Sequence, residues 1–166
     1  MDLELTGKTA LVTGSSRGIG RAIAEILHLE GCRVALNGRT EDDLKSSKDD
    51  LPGSVFVIGD VTRPEEARRV VAEASAALGH IDILVCNVGG GRSVSPGDET
   101  YEEWQRVFAL NLWSTTNIVE AAREELSESY GVIVCVSSIC GLEVFQVRRS
   151  PIPLLRQHFM PMSGVL

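Results

Sequence analysis

Residues 13–20 read Thr13-Gly14-Ser15-Ser16-Arg17-Gly18-Ile19-Gly20, and this glycine-rich stretch decides the fold. A short apolar run, residues 9–13, precedes it, and an amphipathic helical pattern begins inside it at Gly18. Glycine adopts backbone conformations that other residues avoid, so Gly14 permits a tight turn and Gly18 leaves its backbone open to approach by another group. Gly20 permits a helix to pack closely on a sheet. The stretch therefore predicts a strand that turns directly into a helix, as at the start of a β-α-β unit.

The rest of the chain repeats this alternation of short apolar runs and longer helical patterns. Five runs predict strands that are buried on both faces, at residues 9–13, 33–37, 55–59, 81–86 and 132–136. Helical patterns lie between them, at residues 18–30, 41–50, 64–78 and 101 to about 126. Two helices have start signals, because Thr62 with Glu65 and Thr100 with Glu103 both fit the capping box. Pro64 then falls in a first turn, where proline is favoured.

Strands joined by helices of this length predict right-handed crossovers and a parallel sheet covered on both faces. We therefore predict an α/β fold, a Rossmann-type doubly wound sheet of five strands in the order 3-2-1-4-5. Such a sheet binds ligands beyond the carboxyl ends of its strands, where strand order reverses between the first and fourth strands. One domain is expected at residues 1–143. Residues 144–166 contain three prolines and no acidic residue, which predicts an irregular tail and not a second domain.

The composition argues against several classes of protein. A formal net charge of −7 is unfavourable for binding nucleic acid or an anionic membrane, since those surfaces require clustered Lys and Arg. No apolar run approaches about 18 residues and the first residues carry no secretory signal, so we expect a cytoplasmic protein. The cysteines are Cys32, Cys86, Cys135 and Cys140. They lack the paired short spacing of zinc sites, and we expect buried free thiols and no metal.

The glycine-rich stretch predicts a site for the pyrophosphate of a dinucleotide, with a glycine-rich turn without a ligand as the alternative. A helix N-terminus offers unpaired N–H groups and partial positive charge to phosphates. After the second strand, where NAD-specific sites carry an acid for the ribose hydroxyls, the chain reads Asn37-Gly38-Arg39. Arg39 presents a planar set of donors suited to a 2′-phosphate, with Arg17 on the other side. We therefore predict NADP(H) rather than NAD(H); two solvated surface arginines are the alternative.

Five motifs, in order, resemble those of the short-chain dehydrogenase/reductase family. Residues 13–20 resemble its cofactor motif, and residues 134–138 resemble the strand that ends in its catalytic serine. Asn87-Val88-Gly89 looks like its Asn-Ala-Gly motif, Asp60-Val61 lies where the family contacts adenine, and Asn111 sits in mid-helix. The resemblance covers residues 1 to about 145. It implies cofactor contacts from Gly14, Ser16, Arg17, Gly18, Ile19, Gly20, Arg39, Asp60, Val61, Asn87 and Gly89.

The resemblance also implies two residues at a reaction centre. Ser138 would bind a substrate carbonyl, with a turn-forming hydroxyl as the alternative. Asn111 would hold a water in a proton relay, or bridge backbone groups, or do both. The family's proton donor, a Tyr-x-x-x-Lys pair after the serine, is missing, because the tyrosines are Tyr101 and Tyr130 and the last lysine is Lys48. Alternative splicing, a frameshift or an early stop would account for residues 144–166; a short, divergent family member is the other explanation.

Two functions follow from these observations. The first is an oxidoreductase that transfers hydride between NADP(H) and a small-molecule carbonyl or alcohol. The second is a non-catalytic NADP(H)-binding or regulatory chain that associates with a full-length homologue. A homo-oligomer is a further expectation, because a sheet that ends at its fifth strand leaves an unpaired edge. A methyltransferase or another Rossmann enzyme does not account for Asn111 and Ser138 in their positions.

Overall fold

The structure, a computed structural model, describes residues 3–45, 51–95 and 97–138, which form one parallel sheet with helices on both faces. The strands are β1 (Thr9–Val12), β2 (Arg33–Gly38), β3 (Val55–Ile58), β4 (Ile83–Cys86) and β5 (Val132–Cys135). Their order is β3-β2-β1-β4-β5, and every neighbouring pair is parallel. The predicted fold class and strand order are therefore confirmed. The predicted irregular tail, residues 144–166, lies outside the described residues.

Helices connect the strands as the sequence predicts, with one interruption. They are α1 (Gly18–Leu29), α2 (Glu41–Lys45), α3 (Pro64–Leu78), α4 (Tyr101–Phe108), a π-helical turn (Ala109–Trp113) and α5 (Ser114–Glu128). The single helix predicted from residue 101 is thus divided by one wider turn, a feature that often occurs at functional positions. Residues 46–50 of the second predicted helix lie outside the described part. Within the described residues, no helix is both long and apolar enough to span a membrane.

The core consists of two apolar layers, one on each face of the sheet. Adjacent residues of β1 show why the strand sequences are continuously apolar: Leu11 and Val12 are both 0% exposed but belong to different layers. The Leu11 layer is completed by α3 and α5, and the Val12 layer by α1 and α2. The sheet is therefore buried on both sides at its centre, where β1 and β4 lie side by side.

The two predicted helix starts have different outcomes. Thr100 caps α4, since its Oγ1 accepts a hydrogen bond from the Glu103 N–H at 3.2 Å. The capping box at Thr62 is wrong, because the Thr62 hydroxyl donates to Asp60 Oδ1 at 2.8 Å instead. Helix α3 begins without a side-chain cap, and Pro64 is its first residue, as predicted.

A buried carboxylate joins β1 to β4 at the amino edge of the sheet. Asp82 Oδ2 accepts hydrogen bonds of 2.9 Å from both the Thr9 N–H and the Thr9 hydroxyl, and Lys8 Nζ donates to its Oδ1 at 3.1 Å. Burial raises the Asp82 pKa, but the hydrogen bonds from Thr9 and Lys8 outweigh this and hold the pKa at about 2. The Asp82 N–H also donates to the Thr9 carbonyl oxygen at 3.1 Å. β4 begins at Ile83, two residues later than predicted.

Candidate functional site

The loop after β1 is bound to β4 at the carboxyl edge of the sheet. The Thr13 N–H donates to the Val85 carbonyl oxygen at 2.9 Å, and the Thr13 hydroxyl accepts from the Asn87 N–H at 3.0 Å. The Asn87 side-chain amide donates in turn to the Thr13 and Gly14 carbonyl oxygens at 3.0 and 3.1 Å. The loop therefore occupies the point where strand order reverses, which is where a ligand binds in open α/β sheets.

The three glycines of this loop have different surroundings. Gly14 and Gly18 both have φ +61°, a conformation that side chains other than glycine rarely adopt. A Cβ added at Gly20 would lie 2.6 Å from the Gly14 carbonyl oxygen and against the Asn87 amide, so this residue must be glycine for α1 to approach the loop. A Cβ added at Gly18 would meet no atom within 4 Å. The backbone at Gly18 is therefore open on the side where a Cβ would project.

Helix α1 begins at this open position with its first N–H groups uncapped. Its N-cap residue, Arg17, makes no side-chain capping bond, and no acidic residue lies in the first turn. A helix end of this kind carries partial positive charge and donors that need an acceptor from outside the helix. Ser16 is half-buried, whereas Ile19 is 65% exposed beside the same opening. The arrangement fits an anionic group such as a phosphate.

The end of β2 carries an amide in place of a carboxylate. Asn37 is buried, and its Nδ2 donates to the Val57 and Gly59 carbonyl oxygens, both at 3.1 Å. Its Oδ1 accepts from the Gly14 N–H at 3.4 Å, so Asn37 ties β3 to the glycine loop. Arg39 follows at once and is exposed.

A buried serine, which our sequence reasoning did not single out, supports the same loop. The Ser15 hydroxyl donates to the Val12 carbonyl oxygen at 2.7 Å and accepts from the Asn37 N–H at 3.0 Å. The Ser15 N–H donates to the Asn37 carbonyl oxygen at 2.9 Å. Ser15 and Asn37 therefore position the loop from inside the sheet. The sequence does contain a signal for this pair, because a polar residue lies at or just beyond the end of each of two adjacent buried strands.

Asp60 and Val61 lie beyond the end of β3, on the same edge of the sheet. Asp60 is half-buried, and its Oδ1 accepts from the Thr62 N–H at 3.1 Å as well as from the hydroxyl of that residue. The Val61 side chain packs in the core, while its carbonyl oxygen accepts from Asn117 Nδ2 at 3.2 Å. The Asp60 carboxylate therefore lies at the carboxyl edge of the sheet, whereas Val61 contributes only its backbone to that edge.

Asn111 connects the π-helical turn to the loop after β4. Its Oδ1 accepts from the Gly90 N–H at 3.0 Å, and its Nδ2 donates to the Val107 carbonyl oxygen at 3.0 Å. The side chain thus bridges two backbone groups, which is one of the two roles expected of it. Gly89 precedes this contact and is exposed.

Ser138 and the two tyrosines lie in different parts of the fold. Ser138 lies three residues beyond the end of β5, at the carboxyl edge, and is half-buried. Tyr130 lies before the start of β5, at the opposite edge, and is 95% exposed. Tyr101 is exposed on the first turn of α4, where its hydroxyl accepts a hydrogen bond from Gln105 Nε2 at 3.2 Å. Tyr130 is therefore too far along the strand direction to serve a reaction at Ser138.

The cysteines differ from the prediction of four buried thiols. Cys32 and Cys86 are buried, Cys135 is exposed, and Cys140 lies outside the described residues. Cys135 is exposed because β5 is the edge strand of the described sheet, where Val132 and Val134 are also exposed. The interaction with the neighbouring Cys86 thiol lowers the pKa of Cys135 to about 7. The same interaction, together with burial, raises the pKa of Cys86.

The sequence pattern of the short chain dehydrogenases matches residues 8–149 of this chain. The chain belongs to that family. It is 37% identical over 143 residues to an uncharacterized oxidoreductase of Staphylococcus aureus strain MRSA252, a match that covers 84% of this chain and 62% of the relative.

Solved structures give the same result. A short-chain type dehydrogenase/reductase from Mycobacterium marinum superimposes with a TM-score of 0.86 at 29% identity, covering 92% of this chain and 65% of the other. A short chain dehydrogenase from Burkholderia cenocepacia, solved in complex with NADP, gives a TM-score of 0.85 at 30% identity over 92% and 64% of the two chains. The chain thus spans less than two thirds of the length of each of these relatives.

Proposed function

We propose that this chain binds NADP(H) across the carboxyl ends of β1 and β4, with the pyrophosphate against the first turn of α1. The observation that carries the proposal is the open backbone at Gly18, on a helix start with no side-chain cap and no acidic residue. A dinucleotide phosphate placed there accepts hydrogen bonds from N–H groups that have no capping side chain. Gly14, Ser16, Ile19 and Gly20 complete the loop around it.

The preference for NADP(H) over NAD(H) rests on the end of β2. The side-chain amide of Asn37 is engaged with backbone groups, and β2 ends without the carboxylate that would repel a 2′-phosphate. Exposed Arg39 follows β2, and exposed Arg17 precedes α1 on the neighbouring loop. Two guanidinium groups suit a phosphate better than a ribose hydroxyl. The NADP complex of the Burkholderia relative supports this choice.

We further propose a reaction class, the transfer of hydride between NADP(H) and a carbonyl or alcohol. The cofactor supplies the hydride when it is bound. Asp60 and Asn87 lie where they would orient it, and Ser138 lies on the edge where a substrate oxygen would be held. Asn111 fixes the loop after β4 through Gly90, so it shapes the same edge.

A non-catalytic NADP(H)-binding chain is the second candidate, and one observation favours it. Hydride transfer to a carbonyl leaves negative charge on oxygen, so a positioned acid is needed beside Ser138. Tyr130 lies at the other edge of the sheet, Tyr101 is exposed on α4, and the 166 residues contain no lysine after Lys48.

Titration of the purified chain with NADPH and with NADH tests the binding proposal. We expect saturable binding of both, with NADPH bound at least about tenfold more tightly, which corresponds to about 1.4 kcal/mol. No saturable binding of either dinucleotide would contradict the cofactor site. Binding with equal affinities would contradict the preference alone and leave the site at Gly18 in place.

A further inference from the structure

We propose that Cys86 and Cys135 form a dithiol site for hydrogen peroxide, in which oxidation joins the two sulfurs in a disulfide between β4 and β5. The proposal concerns covalent modification and does not depend on cofactor binding. It would remain in place if the chain bound no dinucleotide.

The register of the sheet places the two cysteines side by side. Cys86 and Cys135 are direct partners in the parallel pairing of β4 with β5, and each is the last residue of its strand. Their side chains therefore project from the same face of the sheet. Neighbouring strands lie about 4.8 Å apart, inside the range of about 4.4–6.8 Å between Cα atoms that disulfides span. The bond can form without a change in the strand pairing.

The two thiols have unequal access to a reagent, which assigns them different roles. Cys135 is exposed on the edge strand, whereas Cys86 is 2% exposed in the layer beneath α3 and α5. The neighbouring Cys86 thiol lowers the pKa of Cys135, which favours the thiolate, the form that reacts with peroxide. Cys135 is therefore the attacking residue, and Cys86 is the residue that resolves the product.

The reaction is balanced with peroxide as the oxidant. The Cys135 thiolate attacks one peroxide oxygen, the O–O bond breaks, and hydroxide leaves, so that Cys135 becomes a sulfenic acid. The Cys86 sulfur then attacks the Cys135 sulfur, and the sulfenic oxygen leaves as water with the Cys86 proton. In total two thiols lose two electrons and two protons, and peroxide is reduced to two waters.

Cys32 provides an internal control within the same chain. It precedes β2 at the amino edge of the sheet, and its thiol donates to the Leu5 carbonyl oxygen at 3.5 Å. Cys86 ends β4 at the carboxyl edge, so the two residues are separated by the length of the strands. Burial raises the pKa of the Cys32 thiol, and its position at the amino edge keeps it away from Cys135.

The test treats the folded chain with hydrogen peroxide, blocks remaining thiols by alkylation and maps the peptides by mass spectrometry. We expect the loss of two hydrogens and one cross-linked pair of peptides, containing Cys86 and Cys135, that dithiothreitol separates. Cys135→Ser should abolish this cross-link, because it removes one of the two sulfurs that the disulfide joins, and should leave Cys86 as a thiol. Cys86→Ser should leave a sulfenic acid at Cys135 that dimedone captures. The control variants Cys32→Ser and Cys140→Ser should form the same cross-link as the unmodified sequence.

Three outcomes would overturn the proposal. The first is a cross-link that contains Cys140 and disappears in Cys140→Ser. The second is a Cys86–Cys135 cross-link that forms only after unfolding in urea. The third is a folded chain in which peroxide leaves Cys135 open to alkylation. Mapping the unmodified sequence decides among these even if Cys86→Ser does not fold.

Discussion

Asn87 donates a hydrogen bond of 3.1 Å from its side-chain amide to the Gly14 carbonyl oxygen, and this contact fixes the glycine loop to β4. The same amide fills the space that a side chain at Gly20 would need. Asn87 and Gly20 thus depend on each other: the amide can reach the loop only while residue 20 has no Cβ. The conformation of the glycine loop and the packing of α1 therefore depend on the same contact with Asn87.

Gly20→Ala should destabilise the fold and weaken NADPH binding, because its Cβ would overlap the Gly14 carbonyl and the Asn87 amide. Forcing a methyl group into a packed region typically costs about 1–3 kcal/mol. Urea unfolding and an NADPH titration measure the two effects. Gly91→Ala is the matched control, since a Cβ there meets no atom within 4 Å and its φ is not positive. A Gly20→Ala protein with the stability of the control would refute the close packing.

Arg39→Ala should remove most of the preference for NADPH over NADH while leaving NADH binding nearly unchanged. The guanidinium group of Arg39 is expected to contact only the 2′-phosphate, which NADH lacks. A loss of about tenfold in NADPH affinity is expected. Arg123→Ala is the control, because Arg123 is exposed on α5 and pairs with Glu120. If Arg39→Ala keeps its preference, a different residue selects the cofactor.

Asn111→Ala should lower the free energy of unfolding by about 1–3 kcal/mol, because it removes the acceptor for the Gly90 N–H and the donor to the Val107 carbonyl. Asn111→Asp keeps an acceptor for Gly90 but sets a carboxylate against the Val107 oxygen, so it should not restore stability. Thr116→Ala, an exposed position on α5, is the control. Equal urea midpoints for Asn111→Ala and this control would show that the bridge contributes little.

The stability of the fold should decrease as pH falls from about 4 to about 2, in part through Asp82. Its pKa in the folded chain is about 2, below the ordinary value of 3.8, so its contribution is complete above the ordinary value. The Asp82 carboxylate contributes at most about 2 kcal/mol to the free energy of unfolding. Solvent around the half-exposed Lys8 screens the ion pair and reduces this contribution. Asp82→Asn should therefore be less stable at pH 7, and its free energy of unfolding in urea should decrease less between pH 4 and pH 2. Asp98→Asn, at an exposed loop residue, should show the same decrease as the unmodified chain.

The sheet was predictable because its strands are buried on both faces. A strand such as β1 is buried at every position and largely apolar, and the loop that follows it has glycines at the spacing of a strand that turns directly into a helix. Strand order then followed from general rules of crossover connection. The same reasoning identified the carboxyl edge of the sheet as the place to look for a ligand.

Two of the three details that the sequence did not predict depend on contacts between distant residues. The π-helical turn has no local signal, and it places Asn111 against Gly90, 21 residues away. The failure of the Thr62 capping box is local, because Asp60, two residues earlier, accepts the hydrogen bond from the Thr62 hydroxyl. The exposure of Cys135 followed from its place on the edge strand, which an apolar run does not reveal.

The last prediction is that the chain, purified alone, binds NADPH but oxidises it very slowly with carbonyl substrates. We expect binding to depend on the glycine loop, Arg39 and Asp60, which belong to the described sheet and its loops. Turnover requires an acid beside Ser138, and a positioned acid contributes about 10²–10⁴-fold. The loss should exceed this factor if the nicotinamide is also poorly oriented, because proximity is then lost as well.

A saturation curve for NADPH together with steady-state oxidation by reactive diketones and quinones measures both halves of this prediction. Saturable binding with oxidation close to the rate without protein is expected, and Ser138→Ala should change neither result. Tyr101→Phe serves as a second variant, since Tyr101 is the one tyrosine that lies on the carboxyl side of β4. Rapid oxidation that Ser138→Ala abolishes would contradict the prediction and place an acid beside this serine. If Tyr101→Phe abolished it too, that acid would be Tyr101, reached by a movement of α4 toward the end of β5.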